Sequence, residues 1–291
     1  MNRDQLVSEF QALQSNFHSV VKLLREIGQF DKNREENIRK IEQTLSKLSK
    51  TAGALANSLG KSEIHVNNLM EWMDRYKSEI EKTREEVKKH FGTGLEDRLK
   101  ELNFSLTGQY PELRAGLFTI ELDFEQWRAT LWYGPKQEKL DSCSLSIIEI
   151  AKRIEKARSE LGSKIPEKEL LEKLYHAYKR AVHTYGEEAP IIKVLAEMAY
   201  LLQSQRFLQD PKREHFKSYS RADFSFDLFR IQQFQRNITP PTVHLKTATR
   251  AFTKRRSDFL WIPQGESGKG TVYSHLRFEE KPNEGDQPTK R

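Results

Sequence analysis

The chain has 291 residues, 36% hydrophobic and 31% charged, enough for about two domains of ordinary size. No run of about 18 apolar residues occurs, which excludes a transmembrane helix, and Cys143, the single cysteine, excludes an internal disulfide and any metal site built on several thiolates. The net charge of +7 sits in one place: residues 1–210 carry equal numbers of basic and acidic side chains, and residues 211–291 carry 16 basic against 9 acidic.

The first third follows a heptad frame. Leu6, Phe10, Leu13, Phe17, Val20, Leu24 and Ile27 succeed one another at steps of four and three. The same count lands on Ile38, Ile41, Leu45, Leu48, Ala52, Leu55, Leu59, Val66, Leu69, Met73, Tyr76, Ile80 and Val87. An apolar residue every 3.5 positions keeps a seam facing a partner helix in a left-handed supercoil. Asp31 and Arg34 interrupt the seam, and Gly60 interrupts it again. Retained phase across both breaks favours a rod of about 120 Å from Leu6 to Val87 that pairs with itself or with another protein. Three helices of similar length, near 4–27, 33–59 and 63–91, would instead fold back as a hairpin or bundle. Asp4 and Glu9 lie inside the amphipathic pattern where a signal peptide would be basic and then apolar. The expected location is therefore the cytoplasm, with nucleoid or nucleus as variants.

Beyond a loop at Ser105–Pro111, apolar and polar residues alternate at Phe118, Ile120 and Leu122 and again at Trp127, Ala129, Leu131 and Tyr133, the pattern of a β-hairpin. A third strand is possible at Gln137–Leu140. Three helices follow: about Leu145–Leu161, one opening near Pro166, and Ile191 to about Phe207. The fold class is thus mainly α with a smaller α+β part. The expected divisions are a long-helix domain at 1–104, a mixed domain at 105–210, a basic module at 211–280 and a disordered tail at 281–291.

Leu228–Ser257 holds seven basic residues and no carboxylate. Such a one-signed stretch is a footprint for a polyanion, since an ordinary solvated face mixes signs. Its order reads as helix, Pro-containing turn, basic helix candidate (LKTATRAFTKRR) and hairpin with a Gly-rich tip, the order of a winged helix. A strand starting at Thr242, giving a small antiparallel module, is the other reading. Arg230, Arg236, Lys246, Arg250, Lys254, Arg255, Arg256 and Lys269 are the candidate ligands for DNA or RNA. GESGKG at 265–270 lacks the Gly and Ser/Thr positions of a phosphate loop and precedes a strand-like run, so it reads as a flexible hairpin tip.

Glu121, Asp123, Glu138 and Lys139 could serve a metal-dependent nuclease, but the strand spacing that chemistry needs is missing. The eight histidines show no metal-ligand spacing. No cofactor, metal or small-molecule substrate is implied, and no membrane. The pattern points to a non-enzymatic subunit or adaptor of an intracellular assembly, associating through its N-terminal helices and binding nucleic acid through its basic quarter. A scaffold docking on an acidic protein is the alternative, and the nuclease the remotest one.

Overall fold

The computed structural model describes residues 3–59, 63–184, 186–236 and 242–279. The protein is a mixture of helices and two antiparallel sheets. Among the described residues no helix is long and apolar enough to cross a membrane. The chain divides into two compact units: Met1–Arg98 with Leu122–Ala129 and Cys143–Ile150, and the remainder.

The first unit is built on α1 (Arg3–Phe30), α2 (Arg34–Leu59) and most of α3 (Glu63–Glu101). A 3-10 turn at Asp31–Asn33 separates α1 from α2, and the two helices pack against each other. Ile38, Ile41, Leu45, Leu48 and Leu55 of α2 are each at most 3% exposed, and Val20, Ile27, Met73 and Ile80 are also buried. Leu24 and Val87 are half-buried and Phe17 is exposed. The seam positions Leu6, Phe10, Leu13, Leu59, Val66 and Leu69 lie outside the residues whose side chains are described. The seam is therefore consumed largely within one chain, which replaces the preferred rod by helices folded back on one another. Segments tethered by a few residues meet at millimolar effective concentration, so internal burial outcompetes pairing with a second chain.

The polar interruptions of the seam mark the turn. Arg34 bonds Asp31 at 2.6 Å, Tyr76 donates its hydroxyl to Asp31 at 2.7 Å, and the Arg34 guanidinium lies over the Tyr76 ring. Arg84 reaches Glu42 at 2.5 Å. From Val87 the stripe advances in steps of four to Phe91, Leu95 and Leu99, all buried, so the heptad frame gives way to a rotating face.

The second unit contains most of a five-stranded sheet of consecutive neighbours: β1 (Leu106–Gln109), β2 (Glu112–Ala115), β3 (Phe118–Asp123), β4 (Arg128–Tyr133) and β5 (Glu138–Ser144). The expected hairpin is its β3–β4 pair, and β5 overlaps the third strand suggested at Gln137–Leu140. Strand β1 falls in the expected loop Ser105–Pro111 and β2 just beyond it; β1 is exposed along its length apart from half-buried Leu106, so it has no alternation to detect.

Helices α4 (Ile147–Glu160), α5 (Glu167–Ala181), α6 (Ile191–Leu201) and the short α7 (Gln205–Gln209) follow, with the two-residue β6 (Ala189–Pro190) before α6. Pro166 precedes α5, and Glu167 and Glu169 occupy its first turn, where negative charge complements the helix dipole. Helix α8 (Arg221–Gln235) opens with a capping box. Ser220 Oγ accepts from the Asp223 amide and the Asp223 carboxylate accepts from the Ser220 amide.

Strands β7 (Thr242–Thr247), β8 (Leu260–Pro263) and β9 (Gly270–Glu279) complete the second sheet, in which β9 pairs with β6, β7 and β8. Leu174, Tyr178, Val194, Phe224, Leu228, Ile262, Leu276 and Phe278 belong to one core. The segments read as 105–210 and 211–280 thus share their interior. The suggested tail, 281–291, lies outside the described residues.

The basic helix candidate corrects to a strand and a loop, which removes the winged-helix order from the described residues and leaves the small antiparallel module. Val243 and Leu245 face Phe278 and Leu276 across the β7–β9 ladder, while His244 and Lys246 point outward. The period of two wins because β9 supplies a partner for every second residue, and Thr242, Val243 and Thr247 suit a pleated surface.

Candidate nucleic-acid interface

The β7–β8 connection carries the basic residues. The Ala248 amide donates to Val272, the Phe252 amide to Thr249 and the Asp258 amide to Arg255, so the excursion is a series of tight turns. Phe252 pins it edge-on against His275 at 5.0 Å between ring centres. Residues 249–257 are all exposed. Arg250, Lys254, Arg255 and Arg256 therefore project from one short loop, and none makes an ion pair among the described residues.

The other four candidates separate. Arg230 corrects to a structural residue: its guanidinium bonds Glu167 at 2.7 Å, the Ile165 carbonyl at 2.8 Å and Asp227 at 3.1 Å. Asp227 is 1% exposed and also accepts from the Tyr219 hydroxyl and the Ser163 amide. A buried carboxylate so placed needs its cation. Lys246 precedes the loop but is held by Glu188 at 2.6 Å. Arg236 is exposed at the end of α8. Lys269 occupies the β8–β9 tip.

Arg221 joins the loop from α8, unforeseen in the sequence. It donates to the Phe259 carbonyl. Burial lowers the pKa of its guanidinium; the nearby Glu138 carboxylate opposes that shift and the like charge of Arg256 adds to it. Only the folded chain places Arg221 beside Arg256, 35 positions on.

Strand β8, between loop and tip, is a rigid support. Its Trp261 carbonyl accepts from Ser225 Oγ at 2.6 Å, Ser225 meets the Tyr133 hydroxyl at 3.1 Å, and the Trp261 amide donates to Gln137 at 2.5 Å. Burial raises the Tyr133 hydroxyl's pKa well above that of a free phenol, keeping it protonated. The Trp261 ring sits edge-to-face on Tyr133 and against Gly134, where a Cβ would come within 2.5 Å of it.

The tip expected to be flexible is seated. The Gln264 amide donates to the Lys269 carbonyl, closing the turn. Gly268 has φ +79°, and a Cβ there would lie 2.2 Å from the Gly116 carbonyl of the β2–β3 turn. Between tip and turn runs a groove of about 670 Å³, lined among others by Ser105, Thr107, Arg114, Trp261, Ser267 and Lys269. Arg114 and Lys269 are both exposed and make no ion pair among the described residues. Arg114 carried no sequence signal: it is an isolated cation between the expected loop at Ser105–Pro111 and the alternation that starts at Phe118.

The acidic candidates are occupied. Glu121 accepts from Lys136 at 2.7 Å and from Trp132 at 2.9 Å, Asp123 from the Gln126 amide, and Glu138 from the Ala222 amide. Lys139 is exposed. Among the described residues no three His, Cys, Asp or Glu side chains are grouped to hold a metal ion. No protein family, curated protein or solved structure is matched by the chain.

Proposed function

We propose that this protein is a non-enzymatic subunit or adaptor of a larger assembly that holds nucleic acid on the β7–β8 loop. One observation carries the reading: Arg250, Lys254, Arg255 and Arg256 occupy one exposed loop on a braced strand and make no ion pair among the described residues, the loop's single carboxylate, Asp258, accepting instead from the Ser257 hydroxyl. Unpaired surface cations release counterions when they meet phosphates, and that release supplies much of the affinity of proteins for nucleic acid. Four such contacts give a slope of log affinity against log salt of about −3 to −4. Association with another protein remains part of the proposal and rests on α1, where Phe17 and Val21 are 49% and 44% exposed.

The test is the triple variant Arg250→Glu, Arg255→Glu, Arg256→Glu in a mobility-shift assay at about 100 mM salt, where phosphate contacts still dominate. Retention of DNA and RNA should vanish while the unfolding midpoint stays that of the wild type. Retention equal to the wild type's, or none by the wild type itself, overturns the reading. Salt-sensitive capture of an acidic protein without nucleic-acid binding would select the scaffold.

A further inference from the structure

We propose that the groove between the β8–β9 tip and the β2–β3 turn receives a single strand of nucleic acid, so that the protein prefers unpaired strands and tailed ends to continuous duplex. The groove extends the proposed binding surface and rests on the reading that the β7–β8 loop binds nucleic acid. Two cations line the groove, Arg114 from β2 and Lys269 from the tip, and no carboxylate is among the residues that line it. Glu266, the one acid of the tip, lines a neighbouring cavity instead and lies 3.6 Å from Arg158. The hydroxyl-bearing residues Ser105, Thr107 and Ser267 line the groove, together with Pro135 and Trp261. That is the mixture a strand requires: positive charge for phosphates, donors for sugars, apolar surface for a base.

Size selects the form of the nucleic acid. A space of about 670 Å³ lies in the range of about 300–1,000 Å³ that encloses small ligands. It has room for one nucleotide unit, and a duplex, whose bases are stacked and paired, presents no free unit to enter it. Position supplies the second argument. The basic loop enters β8 at Leu260 and the tip leaves it at Pro263, so loop and groove are separated by one short strand of about 13 Å. A few nucleotides bridge that distance. A strand held at the loop by its backbone would then have its next units within reach of Arg114 and Lys269.

Fluorescence polarisation of the full chain with a labelled single strand of about twenty nucleotides, the matching blunt duplex and the same duplex with a single-stranded tail tests this. The wild type should bind the single strand and the tailed duplex about tenfold more tightly than the blunt one, the scale of one base contact. The double variant Arg114→Glu, Lys269→Glu should lose that preference and keep its duplex affinity, with an unchanged unfolding midpoint. The milder pair Arg114→Ala, Lys269→Ala should reproduce the loss in smaller measure and guards against misfolding. Single-strand binding by both variants equal to the wild type's overturns the groove and leaves the loop reading intact, provided the loop triple variant still loses all binding. Equal loss on duplex and single strand also overturns it. Displacement of the labelled strand by a millimolar mononucleotide alone would mean a nucleotide pocket, not a strand site. Failure of the wild type to bind any of the three probes defeats the loop reading itself.

Discussion

Leu48 is the sharpest probe of where the heptad seam spends its burial. Its side chain is fully buried on α2, and truncating such a leucine to alanine costs about 2–5 kcal/mol. With a urea dependence of about 2 kcal/mol per molar, Leu48→Ala should lower the midpoint of the helical transition by about 1–2.5 M. The informative measurement repeats both curves, followed by far-ultraviolet circular dichroism, at protein concentrations a hundredfold apart. Packing within one chain is independent of concentration, so neither midpoint should move. A seam completed by a second chain would lose about 2.7 kcal/mol on that dilution, the mass-action value of a factor of one hundred. Its midpoint would then fall by more than about 1 M. Such a fall in the wild type, or a Leu48→Ala curve indistinguishable from it, refutes the fold-back account.

Three other outcomes are expected. Arg230→Met should destabilise the second unit by about 3–5 kcal/mol in urea unfolding, because it strands the buried Asp227 carboxylate without its cation; a nucleic-acid ligand on the surface would instead leave stability unchanged. Gly268→Ala forces a left-handed backbone on a residue with a Cβ, at about 1–2 kcal/mol, and adds the clash with the Gly116 carbonyl. Gly265→Ala, whose Cβ meets nothing within 4 Å, should stay within about 0.5 kcal/mol of the wild type, and equal midpoints for the two variants would defeat the seated tip. Asp31 is held below the ordinary carboxylate range, chiefly by its hydrogen bond from Arg34 and further by Tyr76, against the opposing effect of burial. A carboxyl lowered by folding stabilises above its unfolded pKa and loses that contribution as pH falls through the folded value. The stability gap between wild type and Asp31→Asn should therefore be full at pH 7 and shrink below about pH 4; a gap constant down to pH 3 would mean that charge plays no part in it.

Much of this protein was legible in its sequence because the relevant forces are local. Apolar residues at steps of three and four put Ile38, Ile41, Leu45 and Leu48 on one face of a helix whatever that face later touches. Pro166 with Glu167, the alternation from Phe118 to Tyr133, and the carboxylate-free run around Arg250 to Arg256 are likewise properties of neighbours in the chain. They determined the long helices, the central hairpin and a concentrated patch of positive charge.

What only the tertiary structure decided is the identity of partners. Heptad phase states that a face must be covered, and tethering states by what: the chain's own helices. The segment around Leu245 to Arg256 could open as a helix or as a strand, and the β9 edge chose a strand for Thr242–Thr247 through Phe278 and Leu276, leaving the residues beyond it as a loop. Arg230 and Arg250 are equal in the sequence, yet one balances a carboxylate in the core and the other is left free on a loop. Charge is a property of residues, but availability of charge is a property of the fold, because burial and pairing are set by contacts across tens of positions. The groove has the same origin: Arg114 and Lys269 stand 155 positions apart and face one space only because two glycine-bearing turns, at Gly116 and Gly268, can touch.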